Sequence, residues 1–175
     1  MVCFHTIMRT LKGFISIFSF SVALAVSASA QTNLTATDGT RVNIEGPRGK
    51  VVVIAVGASW LPLSDKQAEY TNTLVKKYAG RDVVFYFVAT DSAKTGAKNF
   101  ATDDTIRKFA MQNKLGIPVV RDPDGAAILK KFKIEQVPSF VILDKNGALI
   151  GEPFGGIDPT YDLTIPISKT IDKVL

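Results

Sequence analysis

The chain contains almost none of the two residue types that most often supply nucleophiles, general bases or soft-metal ligands in proteins. Its 175 residues include one cysteine, Cys3, and one histidine, His5. Both precede an apolar stretch at the amino terminus. If that terminus is removed, the remaining chain has no thiol and no imidazole. Disulfide chemistry, Cys- or His-based nucleophilic catalysis and zinc or copper sites then lose their usual ligands.

The first thirty residues have the pattern of a cleaved secretory signal peptide. Arg9 and Lys12 form a short basic region, Phe14–Val26 is an apolar run broken only by serines, and small residues occupy positions 28–30. The apolar run is shorter than the about 20 residues that a membrane-spanning helix needs. Cleavage before Gln31 is therefore preferred to the alternative of an uncleaved membrane anchor. We expect an exported protein, periplasmic in preference to extracellular, with no stable membrane span after cleavage.

Residues 31–175 then form one predicted domain with little net charge. Loss of Arg9 and Lys12 lowers the formal charge from +5 to +3, because 19 basic residues then face 16 acidic ones. A charge this small, without any block of five like charges, argues against a nucleic-acid partner. No metal or cofactor is expected. The Asp122–Gly125 turn starts like a calcium loop, but Lys133 occupies the twelfth position, where an EF-hand has glutamate.

Hydrophobic periodicity divides residues 31–175 into alternating strands and helices. A β-hairpin is predicted over Asn33–Ile44, because its Asp38-Gly39 turn is flanked by β-branched residues. Alternating β and α elements favour parallel strands, and a terminal hairpin adds antiparallel ones, so the sheet is predicted to be mixed. The other predicted elements are strand Val51–Val56, helix Asp65–Tyr78, strand Val83–Ala89, a helix capped by Thr102-Asp103-Asp104, strand Val119-Val120, helix Ala126–Phe132, strand Ser139–Leu143, its partner Ala148–Phe154 and helix Pro166–Val174.

The stretch ASWLPLSDKQ, residues 58–67, places a tryptophan, two leucines and a proline where a buried strand is followed by a helix. Ser64 is predicted to be the N-cap of that helix, and Gln67, three residues later, to complete a capping box. A nucleophilic Ser64 would need a base other than histidine. The adjacent Asp65 and Lys66 do not supply one, because consecutive helix residues do not face each other.

Three longer stretches carry a family resemblance when they are taken together. They read DGTRVNIEGPRGKVVVIAVGASW, IPVVRDPDGAAILKKFKIEQVPSF and VPSFVILDKNGALIGEPFGG. The set resembles the opening, middle and end of the thioredoxin superfamily, above all its exported TlpA-like branch and the nearby redoxin branch. This resemblance spans nearly all of residues 31–175. It implies a thioredoxin-like three-layer α/β fold, with a mixed central sheet, an N-terminal β-hairpin and helices on both faces.

The resemblance also implies an active site, from which this chain departs. Family members follow the tryptophan with C-x-x-C, whereas Trp60 is followed here by LPLS. Leu61 stands at the position of the attacking cysteine and Ser64 at that of the resolving cysteine, so no catalytic residue is assigned. The family's X-cis-Pro is matched by Val137-Pro138, and the resemblance implies that this peptide bond is cis.

Two functions follow from these expectations. The first is a redox-inactive binding or scaffolding module, because thiol–disulfide exchange requires an attacking thiolate. The resemblance implies that its partner is an extended polypeptide, held as an added strand beside the cis-proline. The second is thiol–disulfide oxidoreductase or antioxidant activity, which the resemblance alone implies. The expected binding residues are Trp60, Leu61, Pro62, Leu63, Val137 and Pro138.

Two alternatives stay open beside these functions. Leu61 and Leu63 could simply pack against neighbouring loops instead of forming a docking surface. The domain could also be a structural partner of a catalytic subunit. Analogy of fold cannot separate this role from peptide binding, because function resides in the site and not in the fold.

Overall fold

A seven-stranded mixed sheet forms the centre of the protein. The computed structural model describes residues 31–158 and 160–175, so the predicted signal peptide lies outside the described residues. The sheet order is β2-β1-β5-β4-β3-β6-β7. The strands are β1 (Asn33–Ala36), β2 (Arg41–Asn43), β3 (Val51–Gly57), β4 (Val83–Ala89), β5 (Val119–Arg121), β6 (Ser139–Leu143) and β7 (Phe154–Gly155).

The two central strands are parallel and deeply buried. Every residue of β3 is buried, as expected of a continuous β-branched run that is covered on both faces. Strand β4 pairs with β3 in parallel, and β5 continues the parallel set beside β4. Strand β6 runs antiparallel to β3 and places Ser139 opposite Val56. The predicted mixed sheet is confirmed.

Helices cover both faces of this sheet, as predicted. They are α1 (Pro62–Lys77), α2 (Asp103–Gln112), α3 (Ile128–Lys131) and α4 (Thr164–Val174). Alternate residues of β3 face opposite sides: Val53 packs with residues of α1, α2 and α4, whereas Ile54 packs with residues of α3 and the N-terminal hairpin. Two apolar cores therefore separate the three layers.

The N-terminal hairpin and the cap of α2 form as the sequence predicts. Strands β1 and β2 pair antiparallel across the Asp38-Gly39 turn, where Gly39 adopts a positive φ of 88°. Thr102 is the N-cap of α2, and its hydroxyl accepts a hydrogen bond from the Thr105 N–H at 3.2 Å. Asp103 and Asp104 occupy the first turn of α2, where carboxylates complement the helix dipole.

Several predicted boundaries are wrong. The strand predicted over Ala148–Phe154 is reduced to β7 and one isolated bridge between Leu143 and Leu149. The physical reason is local, because Gly151 takes a positive φ of 66° and the proline at 153 cannot donate to a strand ladder. Helix α3 covers four residues of the predicted Ala126–Phe132. Helix α4 begins at Thr164, two residues before the prediction.

Candidate functional site

The candidate site lies at the edge of the sheet where the parallel strands β3, β4 and β5 reach their carboxyl ends. The chain leaves β3 after Gly57 and enters α1 through a tight turn, in which the Leu61 N–H donates to the Ala58 carbonyl at 3.1 Å. Crevices outside the carboxyl ends of parallel strands are the usual ligand sites of α/β sheets. The topology therefore favours this turn as part of a functional site.

Helix α1 begins three residues earlier than the sequence predicts. Leu61 is the N-cap residue, with extended backbone angles and no side-chain cap, and Pro62 is the first helical residue. Proline suits this position because its missing N–H would have no helical partner there. The prediction that Ser64 is the N-cap is therefore wrong. Ser64 lies fully buried within the first turn, and its Oγ accepts from the Ala58 N–H at 3.2 Å.

Gln67 does not complete a capping box either. It is fully buried, and its side-chain amide nitrogen donates to the backbone carbonyls of Val56 at 3.2 Å and Ser139 at 2.6 Å. These bonds join α1 to β3 and β6. The sequence gives no signal for this role, because a buried glutamine is recognised only after the sheet register is known.

The Val137-Pro138 peptide bond is cis, as the resemblance implies. Pro138 is buried and Val137 is half-buried. Within residues 31–158 and 160–175, neither the N–H nor the carbonyl of Val137 has a hydrogen-bond partner. The register of Ser139 opposite Val56 places this segment next to the turn that follows β3.

The six predicted binding residues have different surroundings. Trp60, Pro62 and Leu63 are exposed, Trp60 at 57% and Leu63 at 38%, whereas Leu61 is half-buried. Trp60, Leu61 and Val137 meet in one cleft of about 220 Å³. Pro62, Leu63 and Pro138 are not among the residues that line it. The predicted set is thus brought together in part.

The sequence analysis did not identify three polar residues of this cleft. Thr90, Asn99 and Asp124 line it together with the apolar side chains, and they come from the loops that follow β4 and β5. Asp124 Oδ1 accepts from the Asn99 side-chain amide at 3.2 Å, and Oδ2 accepts from the Ser92 hydroxyl at 3.1 Å. The shared carboxyl edge of β3, β4 and β5 was the signal that could have found them.

A buried carboxylate holds the backbone immediately before Trp60. Asp91 is fully buried, and it accepts hydrogen bonds from the Ser59 N–H at 3.0 Å and from the Ser59 hydroxyl at 2.6 Å. Arg121 donates to the Asp91 carbonyl at 3.3 Å and pairs with Asp103 at 2.8 Å. This network fixes the position of Trp60 relative to β4 and β5.

The described residues that line the cleft include no cysteine and no methionine. Positions 31–175 have no cysteine and no histidine in the sequence. Across the described ranges, no cluster of three histidine, cysteine, aspartate or glutamate side chains is arranged to hold a metal ion. The described helices also include none with the length and apolarity to cross a bilayer. The cleft offers an apolar rim formed by Trp60, Leu61 and Val137, the carboxylate of Asp124 and the unpaired backbone groups of Val137.

The strand order, the helical layers and the cis-proline define a thioredoxin-like protein. Etrx1, an exposed lipoprotein thioredoxin from Streptococcus pneumoniae strain TIGR4, is 23% identical, with a TM-score of 0.64 over 82% of this chain and 99% of that chain. A thioredoxin-like protein from Aeropyrum pernix is 21% identical, with a TM-score of 0.65 over 82% and 89%. These similarities establish the fold.

The chain belongs to the Redoxin family, which matches residues 21–161. It is similar to the thiol-disulfide oxidoreductase ResA of Bacillus thuringiensis subsp. konkukian (strain 97-27), with 26% identity over 119 residues. The ResA of Bacillus cereus (strain ATCC 10987 / NRS 248) matches at the same identity. The matched region covers 68% of this chain and 63% of each relative, so it spans less than two thirds of the relatives' length.

Proposed function

We propose that this protein is an exported, redox-inactive thioredoxin-like module that binds extended polypeptide. The observation that carries the proposal is that the exposed apolar side chain of Trp60 and the unpaired backbone of Val137 meet at one cleft, whose described lining residues include no cysteine. Leu61 and Ser64 occupy the positions where the family has its two cysteines. The working domain is residues 31–175, after removal of the predicted signal peptide, with the periplasm as the expected compartment.

The binding mode follows from the chemistry of these groups. An N–H and a carbonyl without protein partners can accept one residue of an extended chain as an added strand. When a partner covers the exposed apolar side chains beside them, the free energy of binding becomes more favourable by about 25 cal/mol per Å² of apolar surface buried. Backbone pairing gives affinity for many sequences, and the cleft supplies the selectivity.

Peptide binding is tested with an array of immobilised extended peptides probed with the purified protein and its variants. Trp60→Ala and Leu61→Ala should lose most of the bound peptides, because each substitution removes an apolar side chain from the cleft. Met111→Ala is the matched control, since Met111 is 78% exposed on α2, away from the cleft. Identical peptide sets for all four proteins would show that this rim is not the interface.

Redox inactivity is tested separately. The oxidoreductase alternative is favoured by the family and by the ResA relatives. Thiol–disulfide exchange needs a thiolate, and the only cysteine of the chain is Cys3. The protein should therefore reduce insulin disulfides no faster than a protein-free blank containing dithiothreitol, and should not turn over peroxide. Turnover that persists in a Cys3→Ser variant would contradict the proposal.

A further inference from the structure

The cleft beside Trp60 has a strongly uneven distribution of charge. Of the described residues that line it, Asp124 alone is ionisable. Its carboxylate has no lysine or arginine nitrogen within 4.0 Å in the described part of the chain. The cleft therefore has one negative charge and no positive charge of its own to balance it.

Asp124 is held in place and still has hydrogen-bonding capacity. Its backbone lies in the left-handed region at φ 57°, and its N–H donates to the Thr90 carbonyl at 3.1 Å, so the direction of the side chain is set. The two neutral donors, Asn99 and Ser92, lie at 3.2 and 3.1 Å from the carboxylate oxygens. A carboxylate has about four acceptor sites, so about two remain for a ligand.

The other walls of the cleft suit the stem of a long cationic side chain. Leu61, Leu129 and Val137 line the cleft together with the exposed ring of Trp60. The methylene groups of lysine and arginine pack against apolar surface while the charged end reaches a polar partner. An indole ring also attracts an ammonium or guanidinium group over its face.

The cleft is smaller than most sites that bind small molecules. Its volume of about 220 Å³ is below the about 300–1,000 Å³ of typical ligand pockets. One long side chain fits such a volume better than a cofactor does. Val137 lines the cleft and also carries the unpaired backbone groups, so a residue bound to that backbone lies at the same cleft as Asp124.

We infer that the cleft is a specificity pocket for an arginine or lysine side chain of an extended peptide, with Asp124 as the counter-charge. This inference rests on the proposed peptide-binding function and names its ligand. The bound residue pairs its backbone with Val137, lays its stem along Leu129 and the Trp60 ring, and places its cation at the Asp124 carboxylate. A glutamate at the same position would be repelled.

The inference is tested by isothermal titration of four matched peptides, acetylated and amidated, of sequence Ala-Val-Xaa-Val-Ala. Xaa is arginine, lysine, methionine or glutamate. We expect the arginine and lysine peptides to bind about tenfold more tightly than the methionine peptide, a difference equivalent to about 1.4 kcal/mol, and the glutamate peptide to bind most weakly. Trp60 is the only tryptophan of the chain, so a change in its fluorescence on titration locates the peptide at the cleft.

Two variants separate the role of Asp124 from general electrostatics. Asp124→Asn keeps the size of the side chain and tolerates the left-handed backbone, and it should lower the affinity for the arginine peptide to that for the methionine peptide. Asp82→Asn makes the same change of charge at the opposite end of β4, and it should leave all four affinities unchanged. A preference for arginine that survives in Asp124→Asn would overturn the inference.

The outcomes also distinguish this inference from the function on which it rests. Equal binding of all four peptides by the unmodified protein would overturn the pocket specificity and leave peptide binding standing. Absence of binding by every peptide would overturn both. The peptide series on the unmodified protein decides the question even if Asp124→Asn fails to fold, which is checked by far-ultraviolet circular dichroism.

Discussion

The side-chain amide nitrogen of Gln67 donates a 2.6 Å hydrogen bond to the backbone carbonyl of Ser139, the residue that follows Pro138. The same nitrogen donates to the Val56 carbonyl at 3.2 Å. One buried side chain thus joins α1 to the two strands beside the candidate site. Its Oε1 has no hydrogen-bond partner among the described residues. The position of the Trp60 turn relative to the cis-proline depends on this contact.

Replacing Gln67 by alanine should therefore destabilise the protein. The Gln67→Ala variant loses both hydrogen bonds and leaves a cavity between α1 and the sheet, with an expected loss of about 2–5 kcal/mol in the free energy of unfolding. Urea unfolding followed by circular dichroism measures this loss. Gln112→Ala, at an exposed position at the end of α2, is the control and should change stability by less than about 0.5 kcal/mol. Equal effects of the two substitutions would contradict the structural role of Gln67.

Gly57, the last residue of β3, has no room for a side chain. A Cβ atom there would lie 2.4 Å from Gln67 Oε1 and 2.8 Å from the Phe87 ring. Gly57→Ala should lower the free energy of unfolding by about 1–3 kcal/mol, because overpacking forces these groups apart. Gly116→Ala is the control, since its Cβ would meet nothing within 4 Å. Thermal midpoints that are unchanged in both variants would show that the region around Gly57 is not tightly packed.

Two thiols placed in the α1 turn should introduce redox activity. In a Cys3→Ser background, the variant Leu61→Cys/Ser64→Cys puts the first thiol at the N-cap of α1, where the helix dipole lowers the pKa of a thiol. We expect insulin reduction by dithiothreitol to be accelerated several-fold over the parent. The matched control, Leu63→Cys in the same background, should give no acceleration. A folded double variant with parental activity would show that this turn does not have the geometry of a dithiol site.

We expect the folded protein to lose stability at acid pH as Glu45 becomes protonated. Burial alone would raise the pKa of Glu45, but hydrogen bonds from Lys131 and from Thr32 outweigh it and hold this pKa below its usual value. A lowered pKa in the folded protein contributes stability that is fully present above the unfolded value of about 4.3 and is lost as the pH falls through the folded value.

The variant Glu45→Gln tests this dependence. It should lower the free energy of unfolding at neutral pH by about 1–3 kcal/mol, because a charged hydrogen-bond acceptor is lost. The difference from the unmodified protein should shrink as the pH falls below about 4.3. Urea midpoints measured from neutral to acid pH check both statements, with the exposed Glu152→Gln as control. A difference that stays constant over this range would mean that Glu45 does not titrate with a lowered pKa.

Much of the fold could be predicted from local sequence signals. The predicted bounds of β4 and β6, Val83–Ala89 and Ser139–Leu143, agree with the structure, and β3 is one residue longer than predicted. These strands are continuous runs of β-branched and aromatic residues, and such runs are recognisable without tertiary information. The Asp38-Gly39 turn and the Thr102 cap are equally local signals, which explains why both are confirmed.

The errors arose where the meaning of a residue depends on distant contacts. Serine is a common N-cap residue, but the Ser64 hydroxyl accepts a hydrogen bond from the Ala58 N–H, and the helix already begins at Pro62. Aspartate is a common turn residue, so its type gives no sign of a site. Asp124 lines the cleft only because the carboxyl ends of β3, β4 and β5 lie at the same edge of the sheet. Sequence patterns cannot describe such sites, because their members are far apart along the chain.

By itself, the sequence determined which chemistry is available to residues 31–175, because composition alone excludes a thiolate and an imidazole there. It also determined the alternation of strands and helices, through hydrophobic periodicity. The tertiary structure alone decided that Trp60, Asp124 and Val137 share one cleft. The physical reason is the sheet register: parallel strands end at one edge, and the pairing of Val56 with Ser139 brings the cis-proline segment to that same edge.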